Sequence, residues 1–319
     1  MYNRRLTDPD NQGMFGQVLN MTSFANTVHP ESISNTTLRG FLTAILELGA
    51  WVGILINGIM ADALGRKGAT QAGVLVFCIG VVVQAAAKSA SYILGGRFVT
   101  GLGVGILSMV VPLYNAELSP PELRGALVSL QQLAICFGIM VSYWIGYGTN
   151  YIGGTGATQS NAAWLVPICI QLVPALALGI GITFMPSSPR WLMSRGRDDE
   201  CLSVLANLRR KDPQNPGIQL EYLEIRAQHM FEVETSKARF PDYQDGTFMS
   251  NVKLGYHEYA SLLKNRSLRK RVFVAVMIMV FQQCKSSSFS LISPVAYLSQ
   301  GAASTPSSTT PPLSSRTSV

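Results

Sequence analysis

The stretch GIMADALGRK, residues 58–67, joins two long apolar segments of the chain. Residues 40–61 carry a single charged side chain, Glu47, and residues 69–87 carry none. Each segment has about the 20 residues that a helix needs to cross a bilayer. The stretch predicts a tight, charge-locked turn, because it combines one acid, one glycine and two cations: Asp62, Gly65, Arg66 and Lys67. An ordinary cation-rich loop between membrane helices would show the same residues. Either reading places two membrane helices here.

Three more segments have the length and composition of membrane helices, namely 92–115, 125–147 and 163–185. They are rich in Gly and Ala as well as Leu, Ile and Val, which is typical of membrane helices that pack closely. Two others are partial, because 14–28 is short and polar and 271–283 stops early. The sequence therefore predicts an all-α, multi-pass membrane protein.

Charge is scarce and unevenly distributed. Only 13% of the residues are charged, about half the roughly 25% of a soluble domain. The net charge of +7 lies mostly in segments that flank the apolar spans, and residues 190–271 hold much of it. This distribution follows the positive-inside rule and places that segment in the cytoplasm. It argues against a nucleic-acid-binding protein.

The same pattern divides the chain into four parts. Residues 1–185 are predicted to form an N-terminal transmembrane bundle, and residues 186–270 a cytoplasmic loop with two helices near 200–210 and 220–234. Residues 271–283 form part of a seventh helix. Residues 284–319 are rich in Ser, Thr and Pro, a composition typical of disordered segments.

Several residues in these segments are unusual for a membrane helix. Arg97 lies near the outer end of a span, where a buried cation normally has a functional partner. Glu47 lies in mid-span and is either a proton or ion site or, as we favour, an interhelical hydrogen-bonding group. Three glycines at 101, 103 and 105 lie inside an apolar helix, so close helix packing is favoured over a nucleotide site.

Enzyme chemistry has little support in the sequence. The three histidines are predicted to lie in loops and have no metal-ligand spacing: His29, His229 and His257. No catalytic triad is readable. The five cysteines fall mostly in apolar runs, which argues against a disulfide framework. We therefore predict neither an enzyme nor a bound cofactor or metal.

The order of the motifs resembles the sugar porter family of the major facilitator superfamily, in particular the monosaccharide transporters of filamentous fungi. The resemblance runs from about residue 12 to residue 283 and rests on residues at helix ends. These are Gly58-x-x-x-Asp62-x-x-Gly65-Arg66-Lys67, Gly96-Arg97, Pro112-x-Tyr114-x-x-Glu117-x-x-Pro120-x-x-x-Arg124-Gly125, Gln131-Gln132, Pro186-x-x-Pro189-Arg190-Trp191-Leu192 and Gln282-Gln283.

The resemblance implies a half-bundle of the major facilitator fold with a helical cytoplasmic loop, and transport of a hexose-like monosaccharide by alternating access. The mode would be uniport or proton symport, in a multi-pass protein of the plasma membrane. It implies that sugar hydroxyls bind to Gln131, Gln132, Gln282 and Gln283. It also implies a cytoplasmic gate latch between the two halves, made by Asp62, Arg66, Lys67, Glu117, Arg124 and Arg190.

Three departures from the family pattern affect these expectations. In proton-coupled members an acid in the first helix pairs with the arginine that matches Arg97; here Asn11 occupies that position and Asp10 stands beside it. Ser187 replaces a glutamate of the latch motif. After Gln283 the family pattern stops. We therefore expect a chain truncated at both ends, and the alternative function is a non-transporting membrane fragment or a regulatory partner.

Overall fold

The computed structural model describes residues 14–19, 21–28, 36–120, 122–154, 158–239, 268–278 and 280–281, and these ranges contain helices and no strand. The chain divides into two units, 1–241 and 242–319. In the second unit, the described residues form one helix, α11, at 268–278. The ten helices described in the first unit are α1 (Met14–Val18), α2 (Thr22–Val28), α3 (Thr36–Ala85), α4 (Ala90–Leu118), α5 (Arg124–Thr149), α6 (Ala162–Ile170), α7 (Leu172–Phe184), α8 (Pro189–Ser194), α9 (Asp198–Arg209) and α10 (Pro216–Arg239).

Four described segments are long and apolar enough to cross a membrane: Gly40–Ala85, Ala90–Leu118, Arg124–Thr149 and Ala162–Phe184. A helix satisfies its own backbone hydrogen bonds, which is why apolar segments of this length form helices in a bilayer. The prediction of an all-α multi-pass membrane fold is confirmed.

Helix α3 reverses direction at Gly65, whose φ of 78° and ψ of 166° lie outside the helical region. Both arms run along the same part of α4. A Cβ added to Gly49 would lie 2.4 Å from the backbone of residue 98, and one added to Gly80 would lie 2.4 Å from the backbone of residue 100. The predicted spans 40–61 and 69–87 fall on these two arms. Only glycine adopts this backbone conformation without strain, so the sharp reversal depends on Gly65.

Helices α6 and α7 together occupy the predicted span 163–185, and the helical hydrogen bonding is interrupted at Gln171, whose φ of −62° and ψ of −24° remain helical. Pro174, in the first turn of α7, has no backbone N–H to donate to the carbonyl of Ile170. This missing hydrogen bond accounts for the interruption.

The glycines of α4 allow it to approach both arms of α3 closely. A Cβ on Gly105 would lie 2.1 Å from the Ala50 carbonyl oxygen, and one on Gly103 would lie 2.7 Å from the Phe77 backbone nitrogen. The prediction that these glycines serve helix packing is confirmed.

Most of α5 lies apart from this packing. Gly146 and Thr149, near its C-terminal end, are its buried residues, whereas most of its other side chains are exposed. At Gly146 the side chain of Gln17 packs against the bare backbone. Most of α5 before Gly146 is therefore left uncovered by the part of the chain that the structure describes.

Helices α8, α9 and α10 form a small core of their own around Cys201 and Leu205, with Leu192, Met193 and Ile218. Burial, followed by the nearby charges of Asp198 and Glu221, raises the pKa of the Cys201 thiol to about 11. The reactive form of cysteine is the thiolate, which is a small minority species well below the pKa.

Cys201 should therefore resist alkylation in the folded protein. At pH 8 we expect iodoacetamide to modify it about 100-fold more slowly than in the urea-unfolded chain, where its pKa returns to about 8.5. The rate should rise as the pH approaches 11. Mass spectrometry of the peptide containing Cys201 gives both rates, and equal rates in the two states would contradict the packing described for α9.

Candidate functional site

The end of the bundle at the reversal of α3 holds a network of charges centred on Arg66, just after Gly65. Arg66 Nη2 lies 3.0 Å from Glu117 Oε1, and Arg66 Nε donates to the same oxygen at 3.1 Å. Arg66 Nη1 lies 3.3 Å from Asp62 Oδ1. The side chains of Arg66 and Glu117 are only 15% and 6% exposed, so this ion pair is largely shielded from water.

Glu117 has a second partner on the segment that leads into α8. The Ser188 hydroxyl donates to Glu117 Oε2, and Ser188 itself is buried. The neighbouring Tyr114 hydroxyl donates to the Pro186 carbonyl oxygen at 2.5 Å. The C-terminal end of α4 is thus bonded to residues 186–188, as well as to α3.

Lys67 makes contacts that differ from those of Arg66. Its Nζ donates to the carbonyl oxygens of Thr183 and Met185 at 2.7 and 3.0 Å. These carbonyls lie at the C-terminal end of α7, which carries the negative end of the helix dipole. Lys67 therefore fastens α7 to the turn in α3.

Helix α8 covers the reversal of α3. The Trp191 indole lies against Gly65, where an added Cβ would come within 2.9 Å of the ring, and its Nε1 donates to the Asp62 carbonyl at 3.2 Å. Arg195 Nη2 donates to the carbonyls of Asp62 and Ala63 at 2.9 and 2.7 Å. These bonds satisfy backbone carbonyls that the broken helix leaves without partners.

The other two predicted latch residues are less engaged. Arg190 lines a cavity of about 320 Å³ together with Asp62, Arg66 and Glu117, on the side where α10 approaches. Arg124 is exposed at the start of α5. Within the described ranges neither arginine forms an ion pair. The partners of the latch residues seen here all belong to the first unit.

Two of the four predicted sugar-binding glutamines lie on α5. Gln132 is exposed on α5, whereas Gln131, about 100° around the helix, is half-buried. Gln282 and Gln283 lie outside the described residues. Of the four, Gln132 is thus the one whose side chain the described residues leave exposed.

Arg97 is buried near the outer end of α4 without a carboxylate partner in the described part of the chain. Its guanidinium carbon lies 3.6 Å from the centre of the Phe15 ring, and its Nε is buried without a hydrogen-bond partner. Phe15 in turn packs edge-on against Phe24, with 6.0 Å between ring centres. The other predicted coupling residue, Asp10, lies outside the described residues.

Sequence reasoning missed two residues of this cytoplasmic site, Ser188 and Arg209. Arg209 binds both oxygens of Glu221 on α10, at 2.6 and 3.1 Å, and its Nη1 donates to the Leu118 carbonyl at 3.2 Å. A serine in a proline-rich linker and an arginine on a polar helix carry no pattern that would have identified either of them.

Comparison with known proteins gives one family and several relatives. The sequence model of the family "Sugar (and other) transporter" matches residues 11–305. The "MFS glucose transporter mfs1" of Aspergillus flavus is 37% identical over 220 residues, which are 68% of this chain and 42% of the relative. The "High-affinity glucose transporter" of Kluyveromyces lactis is 34% identical over 73% of this chain and 41% of its own length.

Among solved structures, the proton:xylose symporter XylE of E. coli, bound to 6-bromo-6-deoxy-D-glucose, is similar with a TM-score of 0.63 and 25% identity. The match covers 74% of this chain and 52% of that chain. This chain thus spans about half the length of the relatives that it matches. These similarities favour a transporter over an enzyme or a regulatory partner.

Proposed function

Because the chain belongs to the sugar (and other) transporter family, we propose that it carries out, with the rest of a full-length transporter, the movement of a hexose-like monosaccharide across the plasma membrane by alternating access. The two fungal relatives described above are named as glucose transporters. The observation that carries the proposal for this chain is the exposure of Gln132 on α5, a helix that the described bundle leaves largely uncovered.

A neutral amide in this position suits the chemistry of a sugar. A monosaccharide leaving water loses hydrogen bonds from every hydroxyl group, and an amide both donates and accepts hydrogen bonds without carrying a charge. The net strength of each such bond is modest, about 1 kcal/mol, so the sugar can be released after transport. The proposal includes Gln131, Gln282 and Gln283 as further sugar contacts.

The network around Arg66 suits the conformational change that alternating access requires. Alternating access requires each half of the transporter to rotate without losing its internal packing. Arg66, Glu117 and Ser188 join α3, α4 and the segment before α8 through buried bonds. We propose that these bonds keep the half rigid, and that Arg124 and Arg190 are free to bind the other half when the cytoplasmic side closes.

Uptake of labelled glucose in a host without hexose carriers tests the transport proposal. The host expresses either the chain itself or a chimera in which the C-terminal half of the Aspergillus flavus relative follows Gln283. Saturable uptake by the chimera is expected, because it supplies the other half that the proposal requires. If both versions reach the cell surface and neither moves any hexose, the proposal is wrong.

Replacing Gln132 with alanine in the version that transports should raise KM for glucose about 10-fold, which corresponds to the loss of one or two hydrogen bonds. The same change at Gln131, whose side chain is half-buried, should have a smaller effect on KM. Combining Gln132→Ala with Gln282→Ala should abolish uptake. Unchanged uptake by the double variant would contradict the proposed sugar contacts.

A further inference from the structure

Gln159, in the connection between α5 and α6, joins two helix ends with a single side chain. Its Oε1 accepts hydrogen bonds from the Thr22 hydroxyl and from the Ser23 backbone N–H, both at 3.1 Å. Its Nε2 donates to the backbone carbonyl oxygen and to the Oδ1 of Asn150, at 2.9 and 3.0 Å. These bonds use both donors and both acceptor sites of the amide. The side chain therefore bridges the start of α2 and the end of α5.

The bridge supplies partners that the two helices cannot supply themselves. The Ser23 N–H lies in the first turn of α2, and the Asn150 carbonyl follows the last turn of α5. A helix has no internal partner for its first N–H groups or its last C=O groups. Satisfying one group of each kind takes an acceptor and a donor on the same side chain, which an amide has and a carboxylate lacks.

The surrounding structure fixes the position of Gln159. The backbone N–H of the next residue, Ser160, donates to the Ile152 carbonyl oxygen at 3.3 Å, which closes the connection onto the end of α5. On the other side, the buried Trp164 of α6 packs edge-on against Phe24 of α2, with 5.6 Å between ring centres. The connection is thus held against both helices that the amide joins.

Helix α5 is packed into the bundle mainly at this end. Its buried residues are Gly146 and Thr149, and Gln17 of α1 lies against the bare backbone of Gly146. Gln132 lies about 27 Å along the helix axis from Asn150. A tilt of α5 by roughly five degrees about this end would therefore move Gln132 by about 2 Å. A displacement of that size breaks a hydrogen bond of ordinary length.

We propose that Gln159 is a positioning residue for sugar binding, because it sets the direction in which α5 carries Gln132. Gln159 does not touch the sugar. Loss of its bonds weakens sugar binding through the tilt of α5, with the contacts of Gln132 itself chemically intact. This inference rests on the proposed sugar transport and deepens it, since it assigns part of the affinity to a residue far from the proposed sugar contacts.

Gln159→Glu is the sharpest test, because it keeps the size and the acceptor oxygen but turns the donor into an oxygen that faces two oxygens of Asn150. In the chimera with the Aspergillus flavus half, KM for glucose should rise about 5-fold, the equivalent of one net hydrogen bond. The maximal rate per transporter at the cell surface should be kept. A purely structural defect would instead lower the number of transporters at the surface and leave KM unchanged.

Two further variants accompany this test. Asn150→Ala removes the side-chain acceptor and keeps the backbone acceptor, so KM should rise by about 2-fold. Thr158→Glu places the same charge on an exposed neighbour in the same connection and should leave KM unchanged. The inference is overturned if Gln159→Glu leaves KM unchanged, or if Thr158→Glu raises it as much.

Spin labels measure the position of α5 without transport. Cys136 on α5 and Cys169 on α6 are exposed and can be labelled once Cys78 and Cys284 are replaced with serine. In the purified 319-residue chain at pH 7, Gln159→Glu should shift or broaden the distance between the labels. At pH 4 the new carboxyl, whose ordinary pKa of about 4.3 is raised by the oxygens it faces, is largely protonated and donates again. The distance should then match that of the chain with glutamine at the same pH.

The two measurements fail in distinguishable ways. Equal label distances in the two chains at pH 7, or a shift that persists at pH 4, overturn the inference whatever the uptake shows. If the chimera without substitutions moves no glucose, sugar transport itself is wrong, while the label distances still decide whether Gln159 positions α5.

Discussion

Gly105→Ala is expected to prevent α3 and α4 from packing together. The new Cβ would lie 2.1 Å from the Ala50 carbonyl oxygen and 2.8 Å from its carbonyl carbon. Both atoms belong to the backbone of α3, so no side-chain rotation can relieve the overlap, and the two helices must separate. Overpacking of a rigid site costs about 1–3 kcal/mol, and we expect the upper end of that range or more.

Gly95→Ala, ten residues earlier in the same helix, provides the matched control. An added Cβ at Gly95 meets nothing within 4 Å. Because alanine favours helix more than glycine does, this change should be neutral or stabilising by up to about 1 kcal/mol. Thermal unfolding of the purified chain in detergent measures both variants. Equal unfolding temperatures for the two would show that the close contact between α3 and α4 is not needed.

Glu117→Ala is expected to destabilise the end of the bundle at the reversal of α3 by about 3–5 kcal/mol, the usual cost of removing one partner of a buried ion pair. The change leaves the Arg66 guanidinium, whose side chain is 15% exposed, with the largely exposed Asp62 as its remaining ion-pair partner. It also leaves the buried Ser188 hydroxyl without its acceptor.

Glu122→Ala is the matched control for this prediction, since Glu122 is exposed and forms no ion pair within the described ranges. We expect its effect to stay within about 0.5 kcal/mol. The double variant Arg66→Ala, Glu117→Ala should be more stable than the sum of the single changes predicts, because the orphaned charge is then gone. Strict additivity would mean that the pair has no energetic coupling.

Hydropathy and charge were sufficient to predict the class of fold and the presence of several apolar helices of membrane length. Crossing a bilayer imposes length and composition on each segment separately, so the pattern is readable one segment at a time. The close packing at residues 101–105 was predicted for the same local reason. The reversal at Gly65 and the interruption before Pro174 depend on single residues, and the sequence indicated the first only as a charged turn.

The bonds of the candidate site were harder to predict, because they join distant parts of the chain. The family resemblance named Arg66 and Glu117, but nothing in the sequence paired Glu117 with Ser188, which is 71 residues away. Likewise, Lys67 was grouped with the latch, whereas its partners are carbonyl oxygens of α7. Backbone acceptors leave no trace in a sequence, since every residue has one.

The attachment of α8–α10 to the bundle has a mechanical consequence. Trp191 and Arg195 hold α8 on the turn of α3, Ser188 binds α4, and Arg209 joins α9 to both the end of α4 and α10. With its 24 residues, α10 extends for about 36 Å. It is therefore a lever arm fixed at one end, and a tilt of the membrane helices by roughly ten degrees would swing its far end by about 6 Å.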